Sequence, residues 1–522
     1  MSTSSVPRRG VLRALALTVA LVGGTIPATG ATALAAQPET FTLTIHHLDG
    51  AGRATGEYTT NVHGLTGPRA GRSVHPHDAS GTTTVELPRG RYALDSAVLD
   101  GPSAQRVDWI VQPRLDLDRD TTVTVDARTT APVDVRPPDA SADLYMGAMM
   151  MRIAHDGIAY HPNVSVRSAE LRVAHLGPDA EPGSVRQWYD SYWNAGNARY
   201  YALGYHFTGA RALTGLTRHP SAADLATVRV SGATRPGSTG HAAVFVTPRP
   251  GPAVGYGNTM ATPGTSTFVV TPERGTWEFE YAPRDASGRT TKRYSAGDIS
   301  VRAGGTTELT FDNGVFGPDL TGRPGAVREG DRISVDVPLL ADGAGHVPES
   351  ADGEAPVFTL HRDGVRVPAE SNTPGRAGFT VPPGRASYRL TGTARLSGTP
   401  GTATRVTSEW TFMSATTGGP AALPLSAVRF SPGLGPDGTA PAGTDLRIPV
   451  TVQGAAANGR IRSLVVSAST DGGATWTRLP VAGDAVTVPG PGAGTGVSLR
   501  AELTDTEGNT LVQTTADAYR TR

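Results

Sequence analysis

Apolar and polar positions alternate over short runs along nearly the whole chain. Residues 41–45 (FTLTI), 82–87 (TTTVEL), 91–94 (RYAL), 109–111 (WIV) and 121–125 (TTVTV) set this pattern, with Gly, Pro and Asp between them. A period of two places successive side chains on opposite faces of a strand, and Thr and Val suit a pleated, half-buried surface. Turn signals recur at a spacing of roughly 8–12 residues, which predicts sandwiches of short strands. The last hundred residues are the most regular, with strands expected at 425–430, 445–452, 462–469, 476–479 and 497–503. Only residues 221–227 (SAADLAT) read as a helical turn, with Ser221 as its N-cap.

One pattern recurs. Residues 85–92 (VELPRGRY), 270–277 (VTPERGTW) and 379–388 (FTVPPGRASY) each run from a strand through a Pro- and Gly-containing turn into a strand carrying an aromatic. Pro presets one backbone dihedral and Gly accepts a positive one, so each copy predicts a tight reversal, with the aromatic pinning the returning strand.

Composition narrows the picture. Among 522 residues there are 64 Gly and 41 Pro, which disfavours long helices, and no Cys at all. Disulfide frameworks, thiolate nucleophiles and Cys-ligated metals are therefore excluded. Lys plus Arg equals Asp plus Glu at 47 each, so no global field favours nucleic acid or acidic lipid. Lys292 is the single lysine.

Residues 1–36 read as an export signal. Arg8, Arg9 and Arg13 precede an apolar core at 14–22, and Ala33-Leu34-Ala35 fits the cleavage pattern. The apolar core is shorter than a membrane span. The residues flanking Arg8-Arg9 favour the general secretory route over the twin-arginine route. Pro-rich stretches divide the mature chain into a sandwich module at 37–137, a larger irregular β domain at 138–320, a sandwich module at 321–418 and a C-terminal sandwich at 419–522. The fold class expected is all-β, with tandem immunoglobulin/fibronectin-like or prealbumin-like modules.

Candidate chemistry is sparse. His46 and His47 point to opposite faces of a strand, and His75, His77 and Asp78 read as a solvated loop rather than a zinc site. Asp116, Asp118 and Asp120, and the turn from Asp342 to Gly345, lack the full ligand set of a calcium loop. The residues 469–476 (STDGGATW) have the form of an Asp-box hairpin, in which Ser469 and Asp471 bond the turn backbone, Gly473 turns it and Trp476 packs beneath. Trp188, Tyr192 and Trp193, in the aromatic run of the central segment, are the candidate ligand-contact residues, because such rings stack on sugars or anchor a protein partner. With only 31 aromatics in the chain, core packing is the favoured reading of the same rings, as it is of Met149, Met150 and Met151.

The residues 423–432 (LPLSAVRFSP), 448–452 (IPVTV), 497–501 (VSLRA) and 504–509 (TDTEGN), with the DGGATW hairpin and 409–414 (EWTFMS), resemble the C-terminal accessory region of large secreted actinobacterial subtilisin-family (S8) serine peptidases. That resemblance implies β-sandwich accessory domains without the peptidase. A subtilisin triad needs Asp, His and Ser in that order. The nearest matches here are His63, Asp156 and Ser266, each in an incomplete motif and in a different order. The expectation is a secreted, non-catalytic, multi-module β protein that needs no cofactor or metal. Its partner would be an extracellular protein or glycan, and it would make no contact with nucleic acid or, after signal cleavage, with membrane. The alternatives are a divergent secreted hydrolase and a structural partner of a separately encoded protease.

Overall fold

The computed structural model describes residues 39–522, apart from 101–104, 168, 197, 234–239, 351–353, 374 and 397–404. The export-signal reading of residues 1–36 lies outside the described residues. The described chain is all-β, with a few single-turn 3-10 helices, one of them Ala222–Asp224, where Ser221 and Asp224 form a capping box.

Residues 40–311, with Glu349–Ser350 added at one edge, form a stack of four sheets. The first has three strands, Thr82–Pro88, Thr40–Leu48 and Thr121–Asp126. The second runs Leu216–Arg218, Ala131–Val135, Glu170–His175, Arg106–Leu117, Gly90–Leu99, Tyr58–Gly64 and Ser73–Val74. The third is built around Asp143–His155, Val185–Asn194, Arg199–Gly209, Gly264–Val270, Ala226–Gly232 and Thr306–Phe311. The fourth holds Tyr256–Thr262, Gly240–Arg249, Thr276–Arg284, Lys292–Ser300 and Glu349–Ser350.

Three apolar cores fill the gaps between successive sheets. Leu43, Ile45, Leu94, Ile110 and Val125 pack between the first two sheets. Trp109, Val173, Met149, Met151, Tyr189 and Leu203 pack between the second and third. Tyr192, Val228, Phe268, Val244, Trp277 and Phe279 pack between the third and fourth. The two middle sheets are therefore apolar on both faces, and their strands read as buried runs rather than alternations. This is why the central segment looks irregular in sequence.

Residues from Val315 onward share one continuous core. Its floor is a nine-stranded sheet that joins Glu354–Arg362, Ala386–Arg395 and Arg405–Ser414 to Thr510–Thr521, Gly496–Asp505 and Ile461–Ser469. Two smaller sheets lie on that floor. One includes Arg332–Asp336 and Arg376–Thr380; the other is Ser426–Phe430, Leu446–Gly454 and Ala485–Val488.

Two expected module boundaries are corrected by this pairing. At 137, Ala131–Val135 and Glu170–His175 extend the same sheet as Arg106–Leu117. At 418, Arg405–Ser414 pairs directly with Thr510–Thr521. Pro-rich stretches mark where strands stop, but they carry no information on which sheet the next strand joins. The core itself changes between Phe311 and Val315.

The recurring turn is also corrected. In none of its three copies do the flanking strands pair with each other. The chain passes from the first sheet to the second at Pro88–Gly90, from the third to the fourth at Pro272–Gly275, and from one small sheet to the nine-stranded floor at 381–385. Each copy is a corner between two facing sheets. The aromatic pins it from inside: Tyr92 Oη donates to the Pro88 carbonyl at 2.6 Å, and Trp277 Nε1 to the Thr271 carbonyl at 3.0 Å. Tyr388, fully buried, accepts from Arg328 Nη1 at 3.2 Å. Gly275 (φ 118°) and Gly384 (φ 93°) take a positive dihedral at the second and third corners, and Gly90 at the first does not.

Candidate functional site

The strands Tyr58–Gly64, Gly90–Leu99 and Arg106–Leu117 bring several chemistry-bearing side chains together at one end of the second sheet. Asp95 is its centre and is almost wholly buried. Asn61 Nδ2 donates to both carboxylate oxygens at 3.2 Å, Trp109 Nε1 donates to one at 3.1 Å, and Tyr160 Oη donates to the other. Burial pushes the Asp95 carboxyl upward, against the pull of these donors. Tyr160 is pushed up by its own burial and by the Asp95 charge. Asn61 Oδ1 in turn meets His75 Nδ1 at 2.6 Å.

Beside this cluster, His63 Nδ1 lies 2.8 Å from Ser73 Oγ, and the His63 ring stacks on Tyr160 at 4.5 Å. Burial lowers the His63 imidazole below its ordinary value, with His161 adding to the effect. A hydroxyl beside a neutral imidazole is the first half of a nucleophile–base pair. The second half needs a carboxylate on the far ring nitrogen. His63 Nε2 is buried with no hydrogen-bond partner, and the Asp95 oxygens already serve Asn61, Trp109 and Tyr160. Sequence reasoning singled out His63 but not Ser73, because the two meet only through the antiparallel pairing of their strands.

The other two incomplete motif matches lie elsewhere. Asp156 sits in the turn after Asp143–His155, and Ser266 is fully buried in the third sheet, accepting from Asn258 Nδ2 at 3.3 Å. His47 is buried and stacked on Tyr58, and His77 packs against the same ring. Asp78 bonds the backbone of Ser80. Asp116 pairs with Arg91 and Arg114, Asp118 with Arg119, and Asp120 accepts from the Thr42 amide. Among the described residues, no group of three or more His, Asp or Glu is arranged to hold a metal ion, and no helix is long and apolar enough to cross a membrane.

The candidate ligand-contact aromatics are corrected to core residues. Tyr192 is buried in the third core, its ring stacked on Tyr256 at 5.2 Å and its hydroxyl donating to the Val254 carbonyl at 2.5 Å. Trp188 packs against Gly251 so closely that a Cβ there would lie 2.7 Å from the indole. Trp193 is half-buried and bonds Ser191 Oγ at 3.1 Å. Their strand lies in a sheet covered on both faces, so either side of the pleat is interior. Between Trp188 and Tyr192, Asp190 forms a buried ion pair with Arg274 at 2.9 Å, and Arg274 also donates to the carbonyls of Pro250 and Pro252. Burial raises Asp190 to about 6, against the pull of Arg274. These groups clamp the segment 250–254 onto the third sheet.

The loop 469–476 closes as a hydrogen-bonded hairpin. Ser469 Oγ donates to Asp471 Oδ1 at 2.6 Å and accepts from the Gly473 amide at 2.9 Å, while Thr475 donates to Asp471 through both its amide and its hydroxyl. These donors hold the Asp471 carboxyl well below its ordinary value. Trp476 Nε1 bonds the Gly473 carbonyl, and Arg500 covers its ring at 4.8 Å.

No family profile and no curated protein matches the chain. Among solved structures it is similar to the Bacillus anthracis TIE protein (11% identity, 52% of this chain and 50% of that one, TM-score 0.13). It is similar also to BcpA, the major pilin subunit of Bacillus cereus (9%, 52% and 99%, 0.13). A third is the N-terminal eight Ig domains of Down Syndrome Cell Adhesion Molecule (9%, 92% and 85%, 0.14). The match spans half the length of the TIE protein.

Proposed function

We propose that the chain is a secreted, non-catalytic binding protein whose partner is an extracellular protein. The observation that carries this reading is the outer face of the nine-stranded sheet. Its inner face is core, with Phe358, Leu390, Trp410, Leu499 and Leu511 buried. By register, one row of the outer face runs Val357, Thr393, Thr407, Thr514 and Arg500 across five strands. The next runs Thr391, Glu409, Val512 and Glu502. Val357, Met413 and Val512 are large apolar side chains exposed on that face, spaced among hydroxyls and charges of both signs. A broad surface that mixes apolar, hydroxyl and charged side chains suits a protein partner. Glycan recognition draws on exposed aromatic planes, and Trp188, Tyr192 and Trp193 are committed to packing. The resemblance to S8 accessory regions and the export-signal reading of residues 1–36 point to the extracellular setting.

The test is capture from culture supernatant by the immobilised mature chain, with Val512→Arg and Met413→Glu as comparison baits. The expected result is a protein retained by the wild type and lost from both variants. Equal capture by all three, or elution by oligosaccharide alone, would overturn the reading.

A second reading, a divergent hydrolase, draws on the Ser73–His63 contact. Labelling by a fluorophosphonate probe that is lost in Ser73→Ala, or in Ser266→Ala, would support it over the first.

A further inference from the structure

The single lysine has an unusual position. Lys292 opens a strand of the fourth sheet, and Asp312 follows the last strand of the third. Lys292 Nζ lies 3.2 Å from Asp312 Oδ1, with 23% and 16% of the two side chains exposed. The pair therefore bridges the two sheets of one sandwich at its end. Tyr294 Oη donates to the same Asp312 oxygen, and the Phe316 ring lies 5.9 Å from Nζ. Asp312 is held in the left-handed region (φ 55°), and its amide donates to Asp342 Oδ2 at 3.0 Å. Asp342 is itself fully buried and fixed by the amides of Ala344 and His346. The carboxyl facing Lys292 is thus fixed by its backbone, its amide and its hydroxyl donor.

An ion pair alone does not call for lysine. Every other one of the 47 basic residues is arginine, which would pair with Asp312 at least as well. What lysine adds is a primary amine that becomes a nucleophile once deprotonated. We propose that Lys292 and Asp312 condense to an isopeptide bond that staples the third sheet to the fourth. The ammonium passes one proton to the carboxylate inside the existing contact. The free amine then attacks Asp312 Cγ, with Tyr294 Oη donating to the oxygen that gathers charge. The amine's second proton leaves with the departing hydroxyl. One ammonium and one carboxylate give one amide and one water, so no oxidant, reductant or other reactant is consumed. In a chain without Cys, this is a covalent cross-link that needs no thiol.

Mass spectrometry of the mature chain tests this directly. The intact mass should be one water below that of the sequence, and digestion at arginine should release a branched peptide carrying both Lys292 and Asp312. Lys292→Arg, which keeps the ion pair, should restore the full sequence mass. An amine-reactive ester applied to the denatured wild type should label the N-terminus alone, since the chain has no other lysine. Recovery of separate Lys292 and Asp312 peptides at full sequence mass, with Lys292 labelled, would overturn the proposal. Tyr294→Phe should lower the linked fraction without abolishing the contact. Because the decisive measurement is made on the wild type, a variant that fails to fold does not rescue the idea.

Discussion

His47 makes the sharpest prediction about pH. Its side chain is fully buried, stacked on Tyr58 with centroids 3.4 Å apart. Nδ1 donates to the Gly81 carbonyl at 3.2 Å, which leaves Nε2 to accept from Thr60 Oγ at 2.7 Å. The hydrogen bonds suit this neutral ring, and burial is what opposes the charged one. A second proton would place a desolvated cation close to His46 and His77. Burial, helped by those two histidines and opposed by the Gly81 carbonyl, lowers the imidazole from 6.5 to about 4. A value depressed on folding means that the unfolded chain takes the proton first. The fold therefore keeps its full stability above pH 6.5 and loses it as the pH falls from 6.5 towards 4. At about 1.36 kcal/mol per pH unit the total is about 3 kcal/mol, of which about 2 kcal/mol is lost by pH 5. Histidine side-chain spectra, with the His47 signal identified by its absence in His47→Gln, should show no titration between pH 8 and 5. Urea unfolding should show the stability gap between wild type and His47→Gln narrowing by about 2 kcal/mol over the same interval. A His47 midpoint near 6.5, or a gap that does not change with pH, would refute the reasoning.

Three further outcomes are expected. Arg274→Ala strands the Asp190 carboxyl in the core and should cost about 3–5 kcal/mol in urea unfolding, whereas Asp190→Leu combined with Arg274→Met should cost less than either single change. Tyr92→Phe removes only the hydroxyl that holds the Pro88 corner, and should lower stability by about 1 kcal/mol with the circular dichroism unchanged. Asp471→Ala frees the amide of Thr475, so hydrogen exchange should speed up there while the amides of Arg405–Ser414, in the same sheet, stay as protected as before.

The sequence by itself determined where the strands lie and where the chain turns. Alternation over 41–45, 121–125 or 497–503 is a local signal, set by which side of a pleat each residue occupies, and the strands lie there. The STDGGATW segment likewise carries its own closing donors and acceptors within a few residues. The partner of each strand is not a local property. Glu409 meets Val512, and Val173 meets Trp109, through contacts that no periodicity encodes. Burial of the aromatic run follows from the same gap. One strand shows which residues share a face, but only the stacked sheets on either side decide that both faces of Val185–Asn194 are covered, so Tyr189 and Tyr192 are both interior. The tertiary structure likewise brought Ser73 to His63 and the lone Lys292 to Asp312. Each of these pairs is made by a turn or by the facing of two sheets, because side-chain chemistry acts over about 3 Å of space whatever the separation along the chain.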